Sequence, residues 1–190
     1  MRVESICLGR LFTNAYLVET AQGTVLIDPA DASPELLHFI GKRKVDWVLN
    51  THGHFDHVGG DWAIQKQGAK VALHEADLPY LDHAHPGHAP VDRFLDEGEE
   101  VAGLSVLHTP GHSPGSVVLL ADGVLFAGDL LFAGSIGRTD FPGGSPKAME
   151  ESLRRILELD SGLRILPGHG PETTLARERK TNPYLVDLGG

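Results

Sequence analysis

The stretch Thr51-His52-Gly53-His54-Phe55-Asp56-His57 follows directly on Val45-Asp46-Trp47-Val48-Leu49-Asn50. The leading run is short, apolar and β-branched, the composition of a buried strand. Where it ends, His52, His54, Asp56 and His57 crowd together. Imidazole and carboxylate suit zinc, iron and manganese, and polar groups this dense need a partner if they are buried. Residues two apart on extended backbone point the same way, so His52 and His54 can grip one ion. Asp56 and His57 lie at the turn into a helix and can face a second. A solvated polar loop is the bland alternative, and an apolar strand feeding straight into the cluster argues against it.

Three further candidates stand where other strands should end. His112 lies in Thr109-Pro110-Gly111-His112-Ser113-Pro114-Gly115-Ser116, Asp129 follows Val124-Leu125-Phe126-Ala127-Gly128, and His169 follows Arg164-Ile165-Leu166-Pro167-Gly168. Each is preceded by a glycine, which lets backbone make the tight approach that a ligand loop needs. Singly each reads equally well as a turn residue. Jointly with the first cluster they read as one metal centre.

The rest of the chain supplies a scaffold. Val3–Leu8, Ala15–Glu19 and Thr24–Ile27 are strand-like and split by turn formers. Ser33-Pro34 opens a helix to about residue 42, with Leu36, Leu37 and Ile40 as its apolar stripe. A helix is expected over 58–67, a strand over 71–73, a short helix over 75–81 and a His- and Pro-rich loop over 82–91. Strands follow over 104–107, 116–120 and 124–127, then a helix from Ser145-Pro146 to about residue 159. A strand over 163–166 and a helix over about 172–180 complete the series. There is an internal echo. Gly23-Thr24-Val25-Leu26-Ile27-Asp28 resembles Gly123-Val124-Leu125-Phe126-Ala127-Gly128-Asp129, and the strand ending in His52 resembles the one ending in His169. Each half gives a hairpin ending in Asp, a helix, then a strand ending in His. Two such halves predict an α+β chain of four layers, sheet packed on sheet with helices outside.

Composition bounds the function. The 190 residues suit one domain, 1–190. Asp and Glu number 26 against 16 Lys and Arg, a formal net charge of −10, which repels phosphate backbones and argues against a nucleic-acid partner. No apolar run approaches the roughly 18 residues of a membrane span. The N-terminus shows no signal-peptide pattern, and the single Cys7 allows no intrachain disulfide, so a reduced, cytoplasmic setting is expected. Cys7 itself is expected to be a small buried hydrophobe. Of the 11 His, His83, His85 and His88 fall in the 82–91 loop and read as solvated, while His38, His74 and His108 read as structural. Asp28 ends a strand and can brace the ligand loops. Asn14 and Tyr16 are expected to shape a hairpin. An edge strand is compatible with monomer or homodimer.

The motifs THGHFDH (51–57), TPGHSPGS (109–116), FAGD (126–129) and LPGHG (166–170) together resemble the metallo-β-lactamase superfamily and, within it, the glyoxalase II-like (hydroxyacylglutathione hydrolase-like) enzymes. The resemblance implies an αββα sandwich with the site at one edge. It implies that His52, His54 and His112 hold one metal, that Asp56, His57 and His169 hold a second, and that Asp129 bridges them. Two divalent ions (zinc or iron, or manganese) would share a water and lower its pKa toward neutral, and the bridging hydroxide would attack a carbonyl. Asp56 would also orient that hydroxide. The implied activity is hydrolysis of a small-molecule thioester, without a protein nucleophile.

Two departures matter. The longer glyoxalase II enzymes carry a C-terminal helical domain that contacts glutathione, and no such domain is expected here. Where they place a Lys and a Tyr, this chain has Gly137-Arg138-Thr139-Asp140-Phe141. Arg138 can bind a carboxylate or pair with Asp140, and Phe141 can line the site. That stretch also resembles the superfamily's persulfide dioxygenases, which use one iron. A metal-binding scaffold without turnover is the remaining alternative.

Overall fold

The computed structural model describes residues 1–88, 90–186 and 188. The N-terminal half opens with a meander of β1 (Arg2–Leu8), β2 (Thr13–Thr20) and β3 (Gly23–Ile27). Helix α1 (Pro34–Ile40) starts where expected: Ser33 Oγ accepts from the Leu36 N–H, with Pro34 in the first turn. The chain returns as β4 (Trp47–Leu49), parallel to β3 with Val25 opposite Trp47. Short helices α2 (Phe55–Val58) and α3 (Asp61–Gln65) lead to β5 (Lys70–Leu73), and α4 (Leu78–Ala84) leads to β6 (Arg93–Phe94). The six strands lie side by side in sequence order.

The second half repeats the plan. Strands β7 (Glu100–Val101), β8 (Leu104–His108), β9 (Val117–Ala121) and β10 (Val124–Gly128) form a meander, and a small hairpin, β11 (Leu131–Phe132) and β12 (Ser135–Ile136), follows. Helix α5 (Pro146–Leu157), capped by Ser145, crosses to β13 (Arg164–Pro167), parallel to β10 with Val124 opposite Arg164. Strand β14 (Thr173–Thr174) and helices α6 (Leu175–Thr181) and α7 (Pro183–Val186) close the chain. The second sheet runs β14-β13-β10-β9-β8-β7. The echo read in the sequence is thus a repeat of topology: antiparallel hairpin, crossover helix, parallel strand.

Three clusters define the layers. Val18, Val25, Ile27, Leu104, Leu119 and Phe126 meet between the two sheets. Leu36, Ile40 and Ile64 pack helices α1 and α3 on the outer face of the first sheet. Met149, Leu153, Ile156, Leu175 and Leu185 pack α5, α6 and α7 on the outer face of the second. The order is αββα. Among the described residues no helix is long and apolar enough to cross a membrane.

Two local expectations are corrected. The helix expected over 58–67 starts earlier, at Phe55, and breaks at Gly59-Gly60. There the chain passes so close to the loop after β3 that an added Cβ would lie 2.2 Å from Ala30 O at Gly59 and 2.6 Å from Pro29 O at Gly60. Cys7 is exposed rather than buried: Leu8 and Ile6 take the face of β1 that packs with α1, and Cys7, opposite Asn14 near the end of the strand, lies on the other face.

Candidate metal centre

All seven sequence-selected side chains converge at one end of the sandwich, where β4, β10 and β13 terminate. Three groups lie with their ligand atoms within 4.8 Å of one another: His52, His54 and His112; Asp56, His57 and His169; and His52, His57 and Asp129. His54 Nδ1 lies 2.8 Å from His112 Nε2. Asp129 stands between the first two groups. Its Oδ1 is 3.5 Å from His57 Nε2, and its Oδ2 is 3.4 Å from His112 Nε2 and 3.6 Å from His169 Nε2.

The imidazoles are held from behind, in the manner of metal-binding histidines. His57 Nδ1–H donates to Asp28 Oδ2 at 3.0 Å, His112 Nδ1–H to Arg138 O at 2.8 Å, and His169 Nδ1–H to Leu11 O at 3.1 Å. The Thr51 hydroxyl donates to Asp28 Oδ2, so it accepts from His52 Nδ1 at 3.1 Å. Each of these four rings therefore turns its Nε2 inward. Asp28, as expected from its place at a strand end, braces the ligand loop, taking the Thr51 N–H as well.

Some bracing was not legible in the sequence. Buried Thr13 donates through Oγ1 to Asp56 Oδ2 at 3.1 Å. Asn14 and Tyr16 do more than shape a hairpin. Asn14 Nδ2 donates to Pro167 O and Gly170 O, and Tyr16 Oη–H donates to Pro167 O at 2.7 Å, clasping the loop that carries His169. The signal was the Asn14-Ala15-Tyr16 alternation, but its target lies about 150 residues away.

The residues fit a cation. His52 Nε2, His57 Nε2 and Asp129 Oδ1 are buried without a hydrogen-bond partner, and they face one another. Unsatisfied buried acceptors are costly, and a shared cation satisfies them together. The electrostatics divide the centre. Burial, then the neighbouring imidazoles, push His52 well down and His54 down to about 4, so these two rings stay neutral. At His57 burial acts downward, but Asp129, Asp28 and Asp56 outweigh it and hold the ring up at about 9. At Asp56 burial acts upward and is overcome by the hydrogen bond with His169 and the charge of His57, which keep the carboxyl well below its ordinary range. The hydrogen bond with Asp56 raises His169 in turn.

Phe141 stands edge-on to His54 and His112, at 5.7 and 6.4 Å between ring centroids, and forms a wall of the centre. Arg138 lies over that ring at 4.0 Å, and its Nε and Nη2 donate to Asp140 at 2.6 and 2.7 Å. Its carbonyl, rather than its guanidinium, touches a ligand. His85 and His88 line a small cavity with Asp61 and Trp62, outside the three groups. His74 and His108 stack on each other at 4.2 Å.

A four-layer αββα sandwich with five imidazoles and two carboxylates gathered at its edge defines a class of metal-binding, hydrolase-like proteins. The chain belongs to the metallo-beta-lactamase superfamily, whose family model matches residues 8–169. It is 31% identical to the hydroxyacylglutathione hydrolase GloC of Haemophilus influenzae, over 97% of this chain and 98% of the relative. The crystal structure of TTHA1623 in a di-iron-bound form superposes with a TM-score of 0.91 at 44% identity, covering 96% of this chain and all of that one (100%). ETHE1 from Myxococcus xanthus superposes with a TM-score of 0.83 at 26% identity, covering 100% of this chain and 90% of that one.

Proposed function

We propose that this chain is a metal-dependent thioester hydrolase of the hydroxyacylglutathione hydrolase (glyoxalase II) type. The observation that carries the reading is the pair of complete ligand groups flanking one carboxylate, Asp129. The likeness to GloC across nearly both full chains supports it. His52, His54 and His112 would hold one divalent ion, Asp56, His57 and His169 a second, and Asp129 both. When bound, such ions acidify a water and polarise a carbonyl. Zinc, iron and manganese all suit this donor set.

The chain's own groups do the rest. Asp56, kept ionised and fixed by Thr13, accepts a hydrogen bond from the attacking water and aims its oxygen at the acyl carbon. The new C–O bond forms, the C–S bond breaks, and the thiol leaves with a proton. Phe141 gives the acyl or thiol portion an apolar surface. Arg138 is committed to Asp140, so an anionic thiol carrier must displace that carboxylate to reach it.

The test is turnover of acyl-glutathione and acyl-coenzyme A thioesters before and after chelation, with metal content measured alongside. Turnover undiminished in stripped protein ends the proposal. A second reading, a mononuclear-iron persulfide dioxygenase, is supported by the resemblance of the Gly137–Phe141 stretch to those enzymes. It predicts oxygen consumption with glutathione persulfide and a single bound iron.

A further inference from the structure

We infer that Asp77 is a positioning residue for one half of the centre: it sets the spacing of the group His52, His54 and His112 and leaves the other half alone. The inference rests on the proposal that both groups hold cations. Asp77 is fully buried and ends a single 3-10 turn, Glu75–Asp77, ahead of α4. An aspartate just before Leu78-Pro79 is placed to cap its own helix, yet its side chain makes no cap hydrogen bond. The carboxylate reaches sideways instead. Its Oδ2 accepts the Gly53 N–H at 2.8 Å and the Ser113 hydroxyl at 2.6 Å, and its Oδ1 accepts the Gly115 N–H at 2.6 Å.

These three donors belong to the two loops that supply the first group. Gly53 sits between His52 and His54, and Ser113 follows His112. One carboxylate therefore ties the loops at the point where His54 Nδ1 and His112 Nε2 approach to 2.8 Å. The fit is close on both sides. A Cβ at Gly53 would lie 2.6 Å from Asp77 O, and one at Gly115 would lie 2.7 Å from Asp77 Oδ1. The second group is braced by other residues: His57 by Asp28, His169 by the Leu11 carbonyl, Asp56 by Thr13.

An amide cannot replace this carboxylate. Whichever way Asn turns, its NH2 faces the N–H of Gly115 or of Gly53, and one loop loses its tie. The test is cobalt(II) binding to the metal-stripped chain, followed by absorption and equilibrium dialysis, with circular dichroism to confirm the fold. Wild type takes up two equivalents; failure to do so overturns the two-metal proposal itself, independently of Asp77. Asp77→Asn should lower one affinity about 10- to 100-fold. Combined with His169→Ala, it should weaken the remaining site by that factor. Combined with His112→Ala, it should leave the remaining site unchanged. Wild-type affinities in folded Asp77→Asn, or equal weakening in both backgrounds, overturn the inference. Where Asp77→Asn does not fold, Ser113→Ala, which removes one of the three donors, should show a smaller loss at the same site, and no loss overturns the inference.

Discussion

Asp28 Oδ2 accepts from His57 Nδ1 at 3.0 Å while also accepting from the Thr51 hydroxyl at 2.7 Å. One buried carboxylate thereby fixes a ring of the second ligand group and, through Thr51, the tautomer of His52 in the first. Its backbone has φ 49°, a left-handed conformation that Asn tolerates as well as Asp does. Asp28→Asn therefore isolates the side chain's role. Its NH2 must face either His57 Nδ1–H together with the Thr51 hydroxyl, or the Thr51 N–H, and a buried donor is orphaned. The expected cost is about 1 to 3 kcal/mol of stability, with metal affinity down about 10- to 100-fold. Urea midpoints and metal content check both; wild-type values in both would show the brace to be idle.

Asp129→Ala is expected to empty both halves of the centre, since its two oxygens face His57 on one side and His112 and His169 on the other. Metal analysis of the purified variant should show loss of both ions, with thioester turnover reduced at least about 1000-fold if the ions carry the reaction. Retention of both ions would refute the bridging role.

Asp61 tests the electrostatics beside the centre, at a carboxyl outside the three ligand groups. It is 5% exposed, and burial, with Asp28 adding to it, raises its carboxyl well above the ordinary value; only the hydrogen bond from Asn50 and the charge of His57 work against this. Below about pH 4 folded and unfolded chains both hold the proton and nothing is lost. As pH rises past that point the unfolded chain ionises while the folded one keeps its proton, so stability falls until the folded value is reached. Asp61→Asn removes the loss. The variant should match the parent at and below about pH 4 and exceed it by a margin that grows as pH rises toward 8, read from paired denaturation curves in the same metal state. A variant less stable than the parent at pH 8 would contradict the raised titration.

The ligands were legible because His52, Asp129 and His169 follow closely on apolar strands, where a polar residue has no packing reason to be, and because His54, Asp56 and His57 crowd directly behind the first of them. The layers were legible because the hairpin–helix–strand pattern occurs twice. What escaped is cross-chain bracing. Asp77 sits in a stretch that reads as an ordinary helix start, and its donors are 24, 36 and 38 residues away. Thr13 looks like a turn former, and its partner Asp56 is 43 residues on. Local periodicity carries no information about such pairs. The break at Gly59-Gly60 escaped for the same reason: its cause is the close passage of Pro29 and Ala30.

Gly168 gives a steric test of the same convergence. A Cβ there would lie 2.4 Å from Asp129 Oδ1, 2.8 Å from His57 Cε1 and 3.2 Å from the Gly128 carbonyl carbon. Two of those atoms belong to the proposed ligands, and neither side chain can give way without leaving the cluster. Backbone relief is also closed, because the Gly168 N–H is held by Gly128 O at 2.8 Å and its carbonyl by the Asn14 N–H at 2.7 Å. Gly168→Ala should therefore cost about 1 to 3 kcal/mol by overpacking and displace Asp129 from between the two groups, lowering metal content and turnover together. Gly162→Ala is the control: its Cβ would meet nothing nearer than Asp160 Oδ1 at 3.5 Å, an ordinary contact, so metal content should not change. If Gly168→Ala keeps its full metal complement and wild-type turnover, the ring of His57 and the carboxylate of Asp129 are not packed against this backbone, and the centre is looser than the geometry requires.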